Sequence, residues 1–166
     1  MELEAALQKY AKRGILVDTN ILLLYVVGSF DPKLVPNFKR TQQFTVEDFE
    51  LVIRLFESFA KIVTTPNILT EVNSLAGQLG EPAKRKCLVN FGIRIESLDE
   101  QHTPSSELAN AAQWPEVGLT DCGILRTAKG KYLVLTDDWR LAGLSEKLGV
   151  DAVNFNHLRQ HQWRLS

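Results

Sequence analysis

The chain has 166 residues, 45% of them apolar and 23% charged, with 19 basic against 20 acidic residues and a formal net charge of −1. That length and balance predict a single globular domain over residues 1–166, large enough to build a core without staples, and they exclude a disordered chain. They also exclude the basic footprint of a plain nucleic-acid binder, where a pI above ~9 is usual, against about 6.3 here. Two cysteines, Cys87 and Cys122, are too few for a secreted disulfide framework. The most apolar run, Ile21 to Val27, is far shorter than a membrane span. It follows a charged segment without a signal-cleavage pattern, so a cytoplasmic protein with no membrane contact is expected.

Taken in order, the elements alternate between helix and strand. Glu2 to Arg13 predicts an amphipathic helix broken at Gly14. Ile15-Leu16-Val17 is a buried strand ending at Asp18. A helix starts at Thr19 or Asn20 and stops near Gly28. Ser29 to Thr45, with Pro32 and Pro36, has no period and predicts a loop. Val46 to Ala60 is the clearest helix, its stripe of Phe49, Val52, Ile53, Phe56 and Phe59 forming core or a dimer face. Lys61 to Thr64 is a second strand. Thr65-Pro66 opens a helix through Glu71 to about Leu79. Pro82 opens a basic helix, and Ile93-Arg94-Ile95 is a candidate third strand. A short helix spans Pro104 to about Gln113, and Thr120 is the expected cap of the next, through Leu125. Tyr132 to Thr136 is the best strand. Asp138 to Leu148 is a helix, and Ala152 to Phe155 a last strand. Strands separated by helices predict an α/β protein, a three-layer α/β/α fold with a central, mostly parallel sheet.

In such sheets the working crevice lies at the carboxyl ends of the strands. Asp18 ends the first strand, Asp137-Asp138 follows the best one, Glu71 lies near the start of the helix after the second, and Asp121 opens the helix leading into the Tyr132 strand. Clustered carboxylates repel and raise one another's pKa. Hard divalent cations such as Mg²⁺ and Mn²⁺ resolve that conflict through oxygen ligation. A site of this kind activates water against a phosphodiester.

These segments resemble the motifs of the PIN-domain nuclease family. Ile15-Leu16-Val17-Asp18-Thr19-Asn20-Ile21-Leu22 is similar to its opening motif. Thr65-Pro66 through Thr70-Glu71-Val72 is similar to its second acidic position. Gly118-Leu119-Thr120-Asp121-Cys122-Gly123-Ile124 is similar to the third, and Leu135-Thr136-Asp137-Asp138-Trp139-Arg140-Leu141 to the fourth. The motifs stand in family order from Ile15 to Leu141. Asp-Thr-Asn alone would be weak; the ordered set is specific. The resemblance implies a PIN-like fold and an Mg²⁺- or Mn²⁺-dependent endoribonuclease leaving 5′-phosphate and 3′-hydroxyl ends. VapC-type toxins of toxin–antitoxin pairs are the nearest group, which implies an RNA substrate and, as partner, an antitoxin protein. It implies Asp18, Glu71, Asp121 and Asp138 as the acidic metal site, with Thr19, Asn20 and Thr136 positioning ligands or water. The doublet leaves the fourth acid open between Asp137 and Asp138; the Thr-x-Asp spacing favours Asp138. The segment from Gly28 to Ala60 is larger than a minimal toxin domain requires.

Each acid also has a plainer reading. Asp18 and Asp138 suit helix caps, Asp121 suits the positive end of a helix, and Glu71 suits a solvated helix face. None of these explains why all four fall at one sheet end. A non-catalytic PIN-like module that binds RNA or a protein partner is the alternative. A phosphatase with an Asp nucleophile fits less well, because no second Asp stands two residues after Asp18. His157 and His161 have i, i+4 zinc spacing without a third ligand, so a surface helix is expected. Cys87 and Cys122 read as buried apolar residues. Lys84, Arg85 and Lys86 read as a solvated face, with Lys33, Lys39 and Arg40 as further phosphate-contact candidates. Trp114 is a candidate base-stacking residue but reads as packing.

Overall fold

The computed structural model describes residues 2–162. Helix α1 (Leu3–Tyr10) leads to strand β1 (Ile15–Val17), helix α2 (Thr19–Phe30), a 3₁₀ turn over Pro32–Asn37 and helix α3 (Val46–Glu57). Strand β2 (Ile62–Thr64), helices α4 (Pro66–Ala76) and α5 (Ala83–Ile95), and strand β3 (Asp99–Glu100) follow. Helices α6 (Ser105–Leu108) and α7 (Trp114–Ala128), strand β4 (Leu133–Thr136), helix α8 (Trp139–Lys147), strand β5 (Ala152–Asn154) and helix α9 (Phe155–Gln162) complete the order. The five strands form one all-parallel sheet in the order β3-β2-β1-β4-β5, flanked by helices as a three-layer α/β/α fold. Among the described residues no helix is long and apolar enough to cross a membrane.

The central strands are buried throughout, as parallel strands covered on both faces must be. Helix α2 is the pillar of one layer. It is apolar on every side, with Ile21, Leu22, Leu23, Leu24, Val26 and Val27 all buried; a helix of that composition has no face for water. It packs against α3, α4 and α5. Gly28 allows the close approach of α3, since a Cβ there would stand 2.2 Å from the Phe49 ring. Burying each such Leu or Ile contributes about 1.5–3 kcal/mol.

Three expectations are corrected. Ile93 to Ile95 is the last turn of α5, and the third strand is Asp99–Glu100. The short apolar alternation there misleads; Cys87 and Phe91 are buried at four-residue spacing and Ile95 continues the stripe, while Ile93 is exposed. Ser29 to Thr45 is no featureless loop. It holds the end of α2 and the 3₁₀ turn, and Val35, Phe38, Thr41 and Phe44 are buried in it. Phe155 begins α9 instead of ending the last strand. Phe56 and Phe59 are buried core and Phe49 packs against it. Cys87 and Cys122 are buried free thiols. His157 and His161 lie exposed on α9.

Candidate functional site

The sheet order reverses between β1 and β4, since the chain runs β1, β2, β3 toward one edge and β4, β5 toward the other. In doubly wound sheets such a switch point opens a crevice at the strand ends. The register pairs Val17 with Leu135, and Asp18 N–H donates to Leu135 O at 2.9 Å. Asp18 therefore stands beside Thr136. Asp138 lies two residues past Thr136, Glu71 comes in on α4, and Asp121 on α7. These four acids, with Thr19 and Asn20, line one cleft of about 460 Å³. A larger cavity of about 690 Å³ lies between α8, β5 and α9 and contains none of the four. Charge and donor type, not size, place the candidate site in the smaller one.

Hydroxyls fix the acids. Thr136 Oγ1 donates to Asp18 Oδ2 at 2.6 Å and accepts from Asp138 N–H at 3.0 Å. One threonine thus spaces the first acid from the fourth. Thr19 N–H donates to Asp18 Oδ1 at 2.7 Å, and Asp18 is the N-cap of α2. Glu71 is exposed yet clasped: Thr19 Oγ1 donates to Oε2 at 2.7 Å and Thr120 Oγ1 to Oε1 at 2.8 Å. Asp138 caps α8, its Oδ1 accepting from Arg140 N–H at 2.7 Å and Leu141 N–H at 3.4 Å. The plain reading of Asp18 and Asp138 as caps is therefore correct and compatible with their place in the cleft. Asp137 does not line it. Its Oδ2 accepts from Asn20 Nδ2 at 3.4 Å, its main-chain oxygen from Asn156 Nδ2 at 2.9 Å, and its buried Oδ1 has no hydrogen-bond partner among the described residues.

Helix α7 is not capped by Thr120. Helical turns run from Trp114 across a kink at Gly118, whose φ of 82° and ψ of −179° suit glycine. The kink re-aims the later segment, and the Thr120 hydroxyl is spent on Glu71 instead of on its own backbone. Its adjacency to Asp121 was the only sequence signal of that role. Trp114 is half-buried at the start of α7.

Asp121 is pushed up to about 7, first by burial and then by the negative charges of Asp18, Asp138 and Glu71, with Arg140 opposing. Asp18 is pushed up to about 6 by burial; the Thr136 and Thr19 hydrogen bonds pull it down, and Asp137 and Asp138 push it further up. Both values record the burial of a carboxylate first and the crowding of neighbouring negative charge second. Among the described residues no group of three or more His, Cys, Asp or Glu side chains stands where it could hold a metal ion on its own. The donor set still fits a hydrated divalent cation. Each clasped oxygen keeps a lone pair, and Mg²⁺ asks for one or two direct carboxylates with water elsewhere, not a closed protein cage. No family model matches the chain, and no curated protein matches it either.

Proposed function

We propose that this protein is a metal-dependent phosphodiesterase acting on RNA, of the class that assembles its site from acids at a parallel-sheet switch point. More narrowly, we read it as an endoribonuclease of the PIN type. The observation that carries the reading is the convergence of Asp18, Glu71, Asp121 and Asp138 on one cleft, with Asp121 raised to about 7 by burial and the other three charges. Such an arrangement destabilises the bare protein and invites a cation.

Asp18, Asp121 and Asp138 would share the hold on Mg²⁺ or Mn²⁺, one or two of them directly and the rest through water, with Glu71 completing the charge. When bound, the ion supplies Lewis acidity toward the phosphate and toward water. The chain's own residues do the rest. Thr136 keeps Asp18 and Asp138 at fixed separation. Thr19 and Thr120 hold Glu71 over the cleft, so that its free lone pairs can accept from a water approaching phosphorus. Asp121, pushed up to about 7 in the bare site, would give up its proton when the cation binds.

The test is cleavage of labelled RNA in Mn²⁺. Asp18→Asn is expected to lower kcat/KM by about 10³-fold or more, roughly 4 kcal/mol of barrier, with an unchanged melting temperature in EDTA to within a few degrees. Full metal-dependent cleavage by that variant ends the proposal. The toxin half of a toxin–antitoxin pair is its narrower form, supported if a short upstream reading frame encodes an inhibitor of the cleavage. The second reading, a non-catalytic module binding RNA or a protein, is favoured by the lack of a ready three-ligand group. Calorimetry with Mn²⁺ separates the two, since no heat of binding at millimolar metal favours the module.

A further inference from the structure

Trp139 is among the few large apolar side chains left in the open, 60% exposed, although tryptophan usually buries most of its ring. It directly follows Asp138, so the two Cα atoms stand ~3.8 Å apart. His157 of α9 meets the indole edge to face, with ring centroids 4.8 Å apart and planes at 71°. That contact fixes the ring without covering it. One turn on, the same helix side carries only Ala142 and Gly143, and a Cβ at Gly143 would meet nothing within 4 Å. The cavity of about 690 Å³ opens over this stretch, bordered by Trp139, Gly143, His157 and His161. Its size falls within the range of small-ligand sites, roughly 300–1,000 Å³.

Arg140 leaves the same turn on another side. Its Nη2 donates to Glu116 O at 2.9 Å, and its charge is felt at Asp121. The remaining guanidinium N–H groups are of the kind that match a phosphate. Balancing Asp121 would explain Arg140 alone, but it does not explain an uncovered, braced indole beside it. Glu2, Glu146 and Asp151 also border the cavity. Phosphates therefore stay out of that end, while the flat, uncharged face of a base can enter the groove beside the indole.

We propose that the first turn of α8 clamps one nucleotide of single-stranded RNA, with the base stacked on Trp139 and its flanking phosphate on Arg140. The clamp rests on the ribonuclease reading above and adds to it a preference for unpaired RNA, because a base inside a duplex has no free face. Aromatic stacking tolerates any base, so little sequence preference comes from this contact.

Binding is read apart from cleavage by fluorescence of the full chain carrying Trp114→Phe and Trp163→Phe, in EDTA, titrated with a short oligouridylate and with an abasic oligomer of equal length. The oligouridylate is expected to quench Trp139 and the abasic oligomer to leave it bright. Gly143→Leu, which fills the groove, weakens the oligouridylate affinity about tenfold, within the range set by one stacked base. In the cleavage assay Trp139→Ala raises KM about tenfold with kcat held within about twofold, and Trp139→Phe recovers most of the loss. Equal quenching by the abasic oligomer, or unchanged affinity in Gly143→Leu, overturns the clamp. If the Trp114→Phe, Trp163→Phe chain quenches in a base-dependent way yet the wild type cleaves nothing, the clamp stands and the ribonuclease reading falls. If Trp139→Ala cleaves with an unchanged KM and the quench is base-independent, the clamp falls and the ribonuclease reading stands.

Discussion

Asp48 and Asp18 are both buried aspartates that serve the start of a helix, at 4% and 8% exposure, but their surroundings are opposite. Asp48 closes the capping box of α3 with Thr45. It also receives Arg159 on both oxygens, Nε at 3.0 Å and Nη2 at 2.8 Å. That guanidinium additionally donates to Gln43 O and Asn156 Oδ1 and stacks on Phe44, with its carbon 5.3 Å from the ring centroid. Among the described residues Asp18 accepts only from the neutral donors Thr19 and Thr136 and has Asp137 and Asp138 as charged neighbours. A carboxylate that serves architecture carries its counter-charge within the chain. One that lacks it points to a counter-charge from outside, and that contrast is what marks the cleft as the candidate site.

The largest break in the comparison is catalytic. On the proposed ribonuclease reading, neutralising Asp18 in the cleft is expected to remove about 10³-fold of RNA cleavage at little structural cost, whereas the same loss of charge at Asp48 is expected to leave cleavage per folded molecule unchanged. Next in size is the reverse effect on stability. Asp48→Ala strands Arg159, and breaking a buried pair costs about 3–5 kcal/mol. With the Arg159 side chain 24% exposed, partial rehydration reduces that to about 2–3 kcal/mol. In a chain of this size the melting temperature falls by roughly 5–10 °C, and a loss under about 2 °C in a thermal scan would show the pair to be ornamental.

Smaller, and opposite in sign, is Asp121→Asn. The folded pKa of about 7 stands above the ordinary value of 3.8. The folded state therefore holds a proton that the unfolded state releases. The resulting stability is fully present below pH ~4 and is lost as pH rises through ~7. Metal-free Asp121→Asn is expected to be more stable than the wild type at pH 8 by about 1 kcal/mol after solvent screening, and no more stable at pH 5. Mn²⁺ should restore the wild type at pH 8, by about 2.7 kcal/mol at a hundredfold excess over Kd, and do far less for the variant. Asp151 runs the other way. Hydrogen bonds from Lys9 and Tyr10 hold it below the usual carboxylate range, so its contribution is present above pH ~4 and fades as pH falls further. Parallel pH-stability curves for wild type and Asp121→Asn would remove the premise of an uncompensated site.

Asp18 and Asp138 were legible because they stand at a strand end and a helix start, where an apolar run such as Ile15-Leu16-Val17 marks the spot; Glu71 and Asp121, inside α4 and α7, were legible only through the resemblance of their segments. Parallel pairing then decides the rest, and the ordered segments Asp18, Glu71, Asp121 and Asp138 do reach one cleft. The clasp was not legible. Thr120 reads as a cap because Ser and Thr before an apolar run usually are; only the kink at Gly118 frees its hydroxyl for Glu71, and a backbone kink leaves no periodic trace. Ile93 to Ile95 failed for a related reason, since short apolar alternation does not separate strand from the exposed end of a helix. Arg159 escaped notice because its partner Asp48 lies 111 residues away.

The finest contrast lies inside the doublet Asp137-Asp138, adjacent acids that the chain sends to different places. Asp138 lines the cleft and caps α8 through Oδ1. Asn caps a helix as well as Asp does, so Asp138→Asn keeps the fold and loses only charge. Its cleavage is expected to fall about 10³-fold, like that of Asp18→Asn. Asp137 turns toward Asn20, and Arg159 bears on its charge. Asp137→Asn trades the buried Oδ1 for an amide nitrogen. It should shift stability by no more than about 1 kcal/mol and cleavage by no more than about threefold, through loosened Asn20. Side-by-side rates of the two variants at saturating Mn²⁺ decide the matter. A severe loss in Asp137→Asn with an active Asp138→Asn would move the fourth acid one residue back and leave Asp138 a helix cap alone.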